Sequence, residues 1–145
     1  MNLKAIVNYE HIHPLRLMFP NDENRYVGIT FGLRSSSSEA AKAVVRKHIN
    51  DSLKVKGVQR KMTAEGAEAN ELETLASSIA SWVWEKSDPS APGLDDGEQA
   101  DWNGDTDPKL TMSLAMEVLD VPWIYRQVKV AVNADENFMP SLQDR

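Results

Sequence analysis

The sequence predicts one α+β domain, predominantly helical, in which an N-terminal β-hairpin or small sheet is followed by about four helices. Three observations predict it. Apolar residues alternate with a period of two only near the N-terminus, at Val27, Ile29, Phe31 and Leu33. Through most of the remaining chain they recur at helical spacing instead. At 145 residues with 41% hydrophobic and 26% charged side chains, the chain is long enough for one apolar core and short for two.

Residues 1–34 form the expected β unit. Residues 15–19 and 26–33 read as two strands around the polar turn Pro20-Asn21-Asp22-Glu23-Asn24. Residues 3–9 are a candidate third strand, because Ile6 and Val7 favour extended backbone. Residues 36–86 are expected to hold two long helices. Ser36-Ser37-Ser38-Glu39 has the pattern of a capping box, in which the Ser36 hydroxyl accepts from the N–H three residues on and Glu39 reaches back. Ala41, Val44, Val45, His48, Ile49, Ser52 and Leu53 then make an apolar face, and Gly57 a stop. A second stripe, Leu72, Leu75, Ala76, Ile79, Ala80 and Val83, predicts a helix from Thr63 or Glu65 to about Lys86. On such a helix Trp82 and Trp84 lie about 200° apart, so one of them is expected to be partly exposed.

Residues 87–107 are expected to be an acidic loop. They contain Asp88, Asp95, Asp96, Glu98, Asp101, Asp105 and Asp107 with no lysine or arginine, together with Pro89, Pro92, Gly93 and Gly97. Residues 108–140 should carry two short helices and a tail. Asp107 or Thr111 caps the first, with Met112, Ala115, Met116 and Leu119 inward. Pro122 suits the first turn of the second, with Asp120 as N-cap and Ile124, Val128, Ala131 and Val132 inward, and Phe138 anchors the tail.

Composition restricts the chemistry. Without cysteine there is no disulfide, thiolate metal site or cysteine nucleophile, and a reducing cytosol fits. No export signal is expected at the N-terminus, and no apolar run approaches the roughly 20 residues of a membrane span. No nucleophile elbow, phosphate-binding glycine loop or dinucleotide fingerprint occurs, so no catalytic residue and no cofactor is assigned. Asp101-Trp102-Asn103-Gly104-Asp105-Thr106-Asp107 spaces oxygen side chains as a calcium loop does. Thr106 replaces the glycine of its sixth position, however, and Met112 the glutamate of its twelfth. His11, His13 and His48 are the only imidazoles, and a lone His-x-His has little specificity for zinc. No metal site is assigned. The basic face of the first long helix, Lys42, Arg46 and Lys54 within residues 42–61, gives an alternative reading as a small nucleic-acid-binding or regulatory protein. The absence of interleaved aromatics and a pI near 5.0 weigh against nucleic acid.

The order of these features resembles the tail assembly chaperones of long-tailed bacteriophages. In that family a short β unit leads through a serine-rich cap into a helical body, then an acidic loop, a tryptophan, and two short helices divided by a proline. The corresponding pieces here are residues 15–33, 35–39, 87–101, Trp102, 108–119 and 122–134, closed by Asp135-Glu136-Asn137-Phe138. Met112-Ser113-Leu114-Ala115 departs from the acid and asparagine that the family often has early in the penultimate helix. The resemblance implies a protein without enzymatic activity. Several copies would coat the tape measure protein while tail tube protein is recruited, acting in the host cytoplasm during assembly and absent from the mature virion. A homo-oligomer is a further expectation, and no membrane is involved. Adaptable thioethers and amphipathic rings suit such a client, which makes Met112, Met116, Trp123, Tyr125, Phe138 and Met139 the candidate partner-binding residues. Trp123 and Tyr125 lead, because the opposite stripe of their helix is the apolar one.

Overall fold

The structure, a computed structural model, describes residues 1–53, 64–87 and 97–139. Strands β1 (His13–Phe19) and β2 (Asp22–Leu33) form an antiparallel hairpin that turns at Pro20-Asn21, a tighter reversal than the five-residue polar turn implied. The alternation of β2 has the expected consequence: Ile29, Phe31 and Leu33 are buried on one face. The pairing register of β1 shifts around Leu17, whose side chain is fully buried. Beside this bulge the Met18 N–H donates to Gln127 Oε1 at 2.9 Å, and Gln127 Nε2 donates to the Met18 carbonyl at 2.8 Å, so a side-chain amide completes what the ladder leaves open. Residues 3–9 add no strand. Leu3–Ala5 is a 3-10 turn capped by the Asn2 side chain.

The expected layout, predominantly helical with its strands confined to a unit ahead of the helices, is corrected. After helices α1 (Glu39–Leu53) and α2 (Ala64–Ala76) the chain returns to the sheet as β3 (Ile79–Trp84), paired antiparallel with β2 in the order β1-β2-β3. The second long helix therefore ends ten residues before the expected Lys86. The Ser77 hydroxyl donates back to the Thr74 carbonyl, the Ser78 N–H to the Leu75 carbonyl, and the Arg34 N–H takes the Ser78 carbonyl at 2.7 Å. Beyond that break Ile79, Trp82, Val83 and Trp84 are β-branched or aromatic, and their pairing satisfies the backbone groups along the second edge of β2, which a continued helix would leave open. The period of two changes the geometry of the tryptophans: Trp82 and Trp84 share a face, their rings edge to face at 5.6 Å, opposite the exposed Val83, and Trp82 is the partly exposed one of the pair.

The capping box is also corrected. Ser38, not Ser36, caps α1, its Oγ accepting from the Ala41 N–H, while the carboxylate of distant Glu10 accepts from the Glu39 N–H at 2.8 Å. Ser36 instead donates to Asn133 Oδ1. Helices α3 (Met112–Leu119) and α4 (Pro122–Val132) form where the sequence places them. Thr111 caps α3 through the Leu114 N–H, whereas Asp120 closes α3 and does not cap α4, whose N-cap Val121 makes no side-chain hydrogen bond. The core lies between one face of the sheet and α2, α3 and α4, uniting Leu17, Phe31, Leu33, Leu75, Val118, Leu119, Val128 and Val132. Each large side chain sealed there contributes about 1.5–3 kcal/mol from burial. The last described element is a 3-10 turn, Asp135–Phe138, whose Phe138 carbonyl accepts from the Asn8 N–H at 2.9 Å and ties it to the segment ahead of β1.

Candidate binding pocket

At one end of the sheet, the β1–β2 hairpin and three further segments converge on an aromatic pocket of about 420 Å³. Phe19 ends β1 and Arg25 begins the long arm of β2. Trp84 ends β3, and Trp123 enters with the first turn of α4, whose N1 proline fixes the backbone there. The fourth segment is what remains described of the acidic loop. Its two ends are clamped: Ser87 N–H donates to the Glu98 carbonyl and Ala100 N–H to the Glu85 carbonyl, so residues 98–100 add to the edge of the sheet beyond β3. Trp102 is then presented by a tight reversal. Its N–H and carbonyl both bond Asp105, around Asn103 at φ 51° and Gly104 at φ 90°. That is a two-residue Asn-Gly turn, the residue pair that best tolerates two successive positive φ values.

Gly28 makes this junction possible. Its φ is 110°, and a Cβ there would lie 2.4 Å from the Glu85 carbonyl oxygen and 3.1 Å from the Ala100 Cβ. Without a side chain at position 28, the Gly28 carbonyl accepts the Glu85 N–H at 2.6 Å and Ala100 closes the pocket wall. On the same face of β2 the Tyr26 hydroxyl donates to Glu85 Oε1, and the Arg16 guanidinium lies 4.3 Å from the Tyr26 ring centroid. Burial, then the hydrogen bond to Glu85, pushes the Tyr26 phenol up to about 12.

The walls are chiefly Phe19, Val27, Trp84, Trp102, Trp123 and Ile124. The Arg25 guanidinium rests over Phe19, 4.5 Å from the ring centroid. Arg25 Nε and Trp84 Nε1 are buried without a hydrogen-bond partner among the described residues. The acids at the mouth are Glu98 and Asp101, both exposed, and Asp101 Oδ2 accepts the Gly104 N–H that shapes the turn. Such a site can enclose an apolar group against rings and present negative charge around it.

Of the residues expected to bind a partner, Trp123 alone lines this pocket. Tyr125 points elsewhere: its hydroxyl donates to Glu71 of α2, and Lys129 joins both, at 2.7 Å to the Glu71 carboxylate. That contact holds Glu71 below the usual carboxylate range, with the Lys129 hydrogen bond the largest cause. Met112 and Met139 are exposed at the first position of α3 and just past the tail turn, whereas Met116 packs half-buried against the core. Met112 is thus corrected from an inward to an outward position. Phe138 is fully buried, with the His13 ring edge-on at 6.1 Å, and is withdrawn as a surface residue: it anchors the tail only. Sequence reasoning did not assign Phe19, Arg25 or Trp84 to a site. The Asn103-Gly104 dipeptide was the available signal for the turn that delivers Trp102.

On the alternative basic face, Lys42 is exposed, Arg46 pairs with Glu39 at 3.0 Å, and Lys54 lies outside the described residues. His48 sits half-buried at the core edge on the inward side of α1, where it hydrogen-bonds Glu73 of α2 at 3.1 Å, with Lys47 on the other carboxylate oxygen at 3.3 Å. Val45 and Ile49, expected inward, are exposed. No group of three or more histidines and acids that could hold a metal occurs among the described residues, and none of their helices is long and apolar enough to cross a membrane. No family model, curated protein or solved structure matches the chain.

Proposed function

We propose that the chain is a tail assembly chaperone of the long-tailed phage type, which binds the tape measure protein through apolar contacts and recruits tail tube protein without turning over a substrate. The observation that carries this reading is the aromatic pocket. Three tryptophans, the residue type most enriched among the energetic anchors of protein interfaces, converge on one opening. A tape measure protein exposes apolar helical stripes until the tube encloses it, and a partner that covers them must do so reversibly. Exposed Met112 and Met139 offer further adaptable contacts. Action in the host cytoplasm, and absence from finished virions, belong to the same proposal.

Co-expression with the tape measure protein tests it. The expected result is a soluble complex with several chaperone copies per client, to which tail tube protein adds. An insoluble client with an empty pull-down overturns the reading. The nucleic-acid alternative has less support, because Arg46 and Lys47 are engaged in ion pairs within the chain.

A further inference from the structure

We infer that the tryptophan pocket takes one large apolar side chain from a basic segment of the partner protein, with a flanking lysine or arginine of that segment meeting Glu98 and Asp101. The inference rests on the protein-binding reading above and specifies the chemistry of what is bound. Two independent features of the site point to it, one for the anchor and one for its flanks.

The cavity supplies the anchor's site. About 420 Å³ falls in the range of pockets that enclose a compact apolar group, and the rings of Trp84, Trp102 and Trp123 come from three different segments, so an inserted side chain meets aromatic surface on several sides. Arg25 does not make it an anion site. Its guanidinium lies over Phe19 inside the wall, while the mouth carries the carboxylates of Glu98 and Asp101.

The charge of the rim selects the flanks. From 97 to 107 the chain has four acids, Glu98, Asp101, Asp105 and Asp107, all exposed, and no lysine or arginine, while in space Lys86 stands opposite Gln99 and Lys109 shares a second cavity with Asp107. Only two of the four acids line the cavity. Asp105 and Asp107 follow past the Asn-Gly turn, but Asp107 lines a separate cavity with Trp82 and Lys109, so Glu98 and Asp101 are the acids that a segment leaving the tryptophan pocket meets. Negative rim around an apolar centre is complementary to a cationic amphipathic segment, and such complementarity acts on encounter rate and partner choice and weakens with salt.

The test uses the full chain and three synthetic helical peptides: one with a single phenylalanine between lysines, the same peptide with the phenylalanine replaced by alanine, and a version with glutamate for every lysine. Tryptophan emission of the protein is the readout, since the peptides contain none. The expected result is saturable binding of the first peptide, weaker by roughly tenfold or more for each of the others, and weaker again as salt is raised. Trp123→Ala should abolish the response. Because that variant could disturb α4, Glu98→Gln, at an exposed side chain, provides the second arm: it should lower affinity for the lysine peptide and leave the circular dichroism spectrum unchanged. Equal binding of the lysine and glutamate peptides, or full binding by folded Trp123→Ala, overturns the inference. So does free toluene, which does not emit with tryptophan, binding as tightly as the peptide. A failed co-expression beside successful peptide binding would instead count against the chaperone reading alone, so the two can fail separately.

Discussion

A methyl group at position 28 would stand 2.4 Å from the Glu85 carbonyl oxygen, on a backbone whose φ of 110° already excludes ordinary side chains. Gly28→Ala should therefore destabilise the fold by about 1–3 kcal/mol from backbone strain, with the steric clash adding to it. The measurement is the shift in urea midpoint, and an unchanged midpoint would show that the junction has room which the geometry denies. The variant should also weaken peptide binding at the pocket, since Ala100 forms part of its wall and sits against Gly28. Tyr26, two residues away, gives a pH prediction. Its phenol is held near 12 against an ordinary 10.0, so the folded state keeps the proton that the unfolded state loses first. The associated stability is fully present below pH 10 and is lost as pH rises through about 12. Tyr125 is also raised, by burial and its hydrogen bond to Glu71, so ultraviolet titration of phenolate should show late ionisation that is reduced, not abolished, in Tyr26→Phe. Phe138→Ala, at a fully buried ring, should cost about 3–5 kcal/mol in thermal or urea unfolding.

At the scale of elements, local signals were legible wherever one periodicity and one cap agreed. The alternation of β2, the Thr111 cap of α3 and the N1 proline of α4 each specify an element without reference to the rest of the chain. β3 was illegible for a physical reason. Leu72, Leu75, Ala76, Ile79, Ala80 and Val83 fit a helical stripe, and what ends that helix at Ala76 is the pairing with β2, fixed by residues about fifty positions earlier. The pocket inherits the error. Trp123 could be chosen from its position opposite the apolar stripe of α4, but Trp84 was assigned to a helix face that does not exist, and Phe19 and Arg25 meet it only through the sheet. The cap of α1 failed similarly, because Glu10 acts from a distant segment. The contact between α1 and α2 yields an acid-side prediction. Glu73 is held below its ordinary 4.5, first by the hydrogen bond from His48 and then by Lys47. Its contribution is fully present above pH 4.5 and is lost as pH falls through the depressed folded value. Glu73→Gln should flatten the acid limb of the stability profile measured by circular dichroism, and an unaltered limb would remove Glu73 from the account.

Over the whole molecule these contacts are unevenly distributed, and function should follow the unevenness. β2 and α4 carry Phe31, Leu33 and Val128 at 0% exposure and meet in the main core, whereas α1 shows Val45 and Ile49 at 43% and 54% exposure. Its inter-helix ties to Glu73 are partly exposed, and its Arg46–Glu39 pair is more exposed still. Partial solvent screening makes such pairs weak, on the order of 0–1 kcal/mol each. α1 should thus open in a sub-global step while β2 and α4 exchange their amides only with global unfolding. The tryptophan pocket is built on the resistant part, at the ends of β1, β2 and β3 and the first turn of α4. Its geometry is consequently preorganised, and occupation should add protection to residues 98–102 and the start of α4 without altering α1. Hydrogen exchange read by mass spectrometry, with and without the lysine-flanked peptide, separates the alternatives. Protection confined to those segments agrees with a rigid recognition pocket. Protection spreading into α1, or α1 exchanging as slowly as β2 in the free protein, would mean that the helices and the sheet respond as one cooperative body and that the pocket is not independently formed.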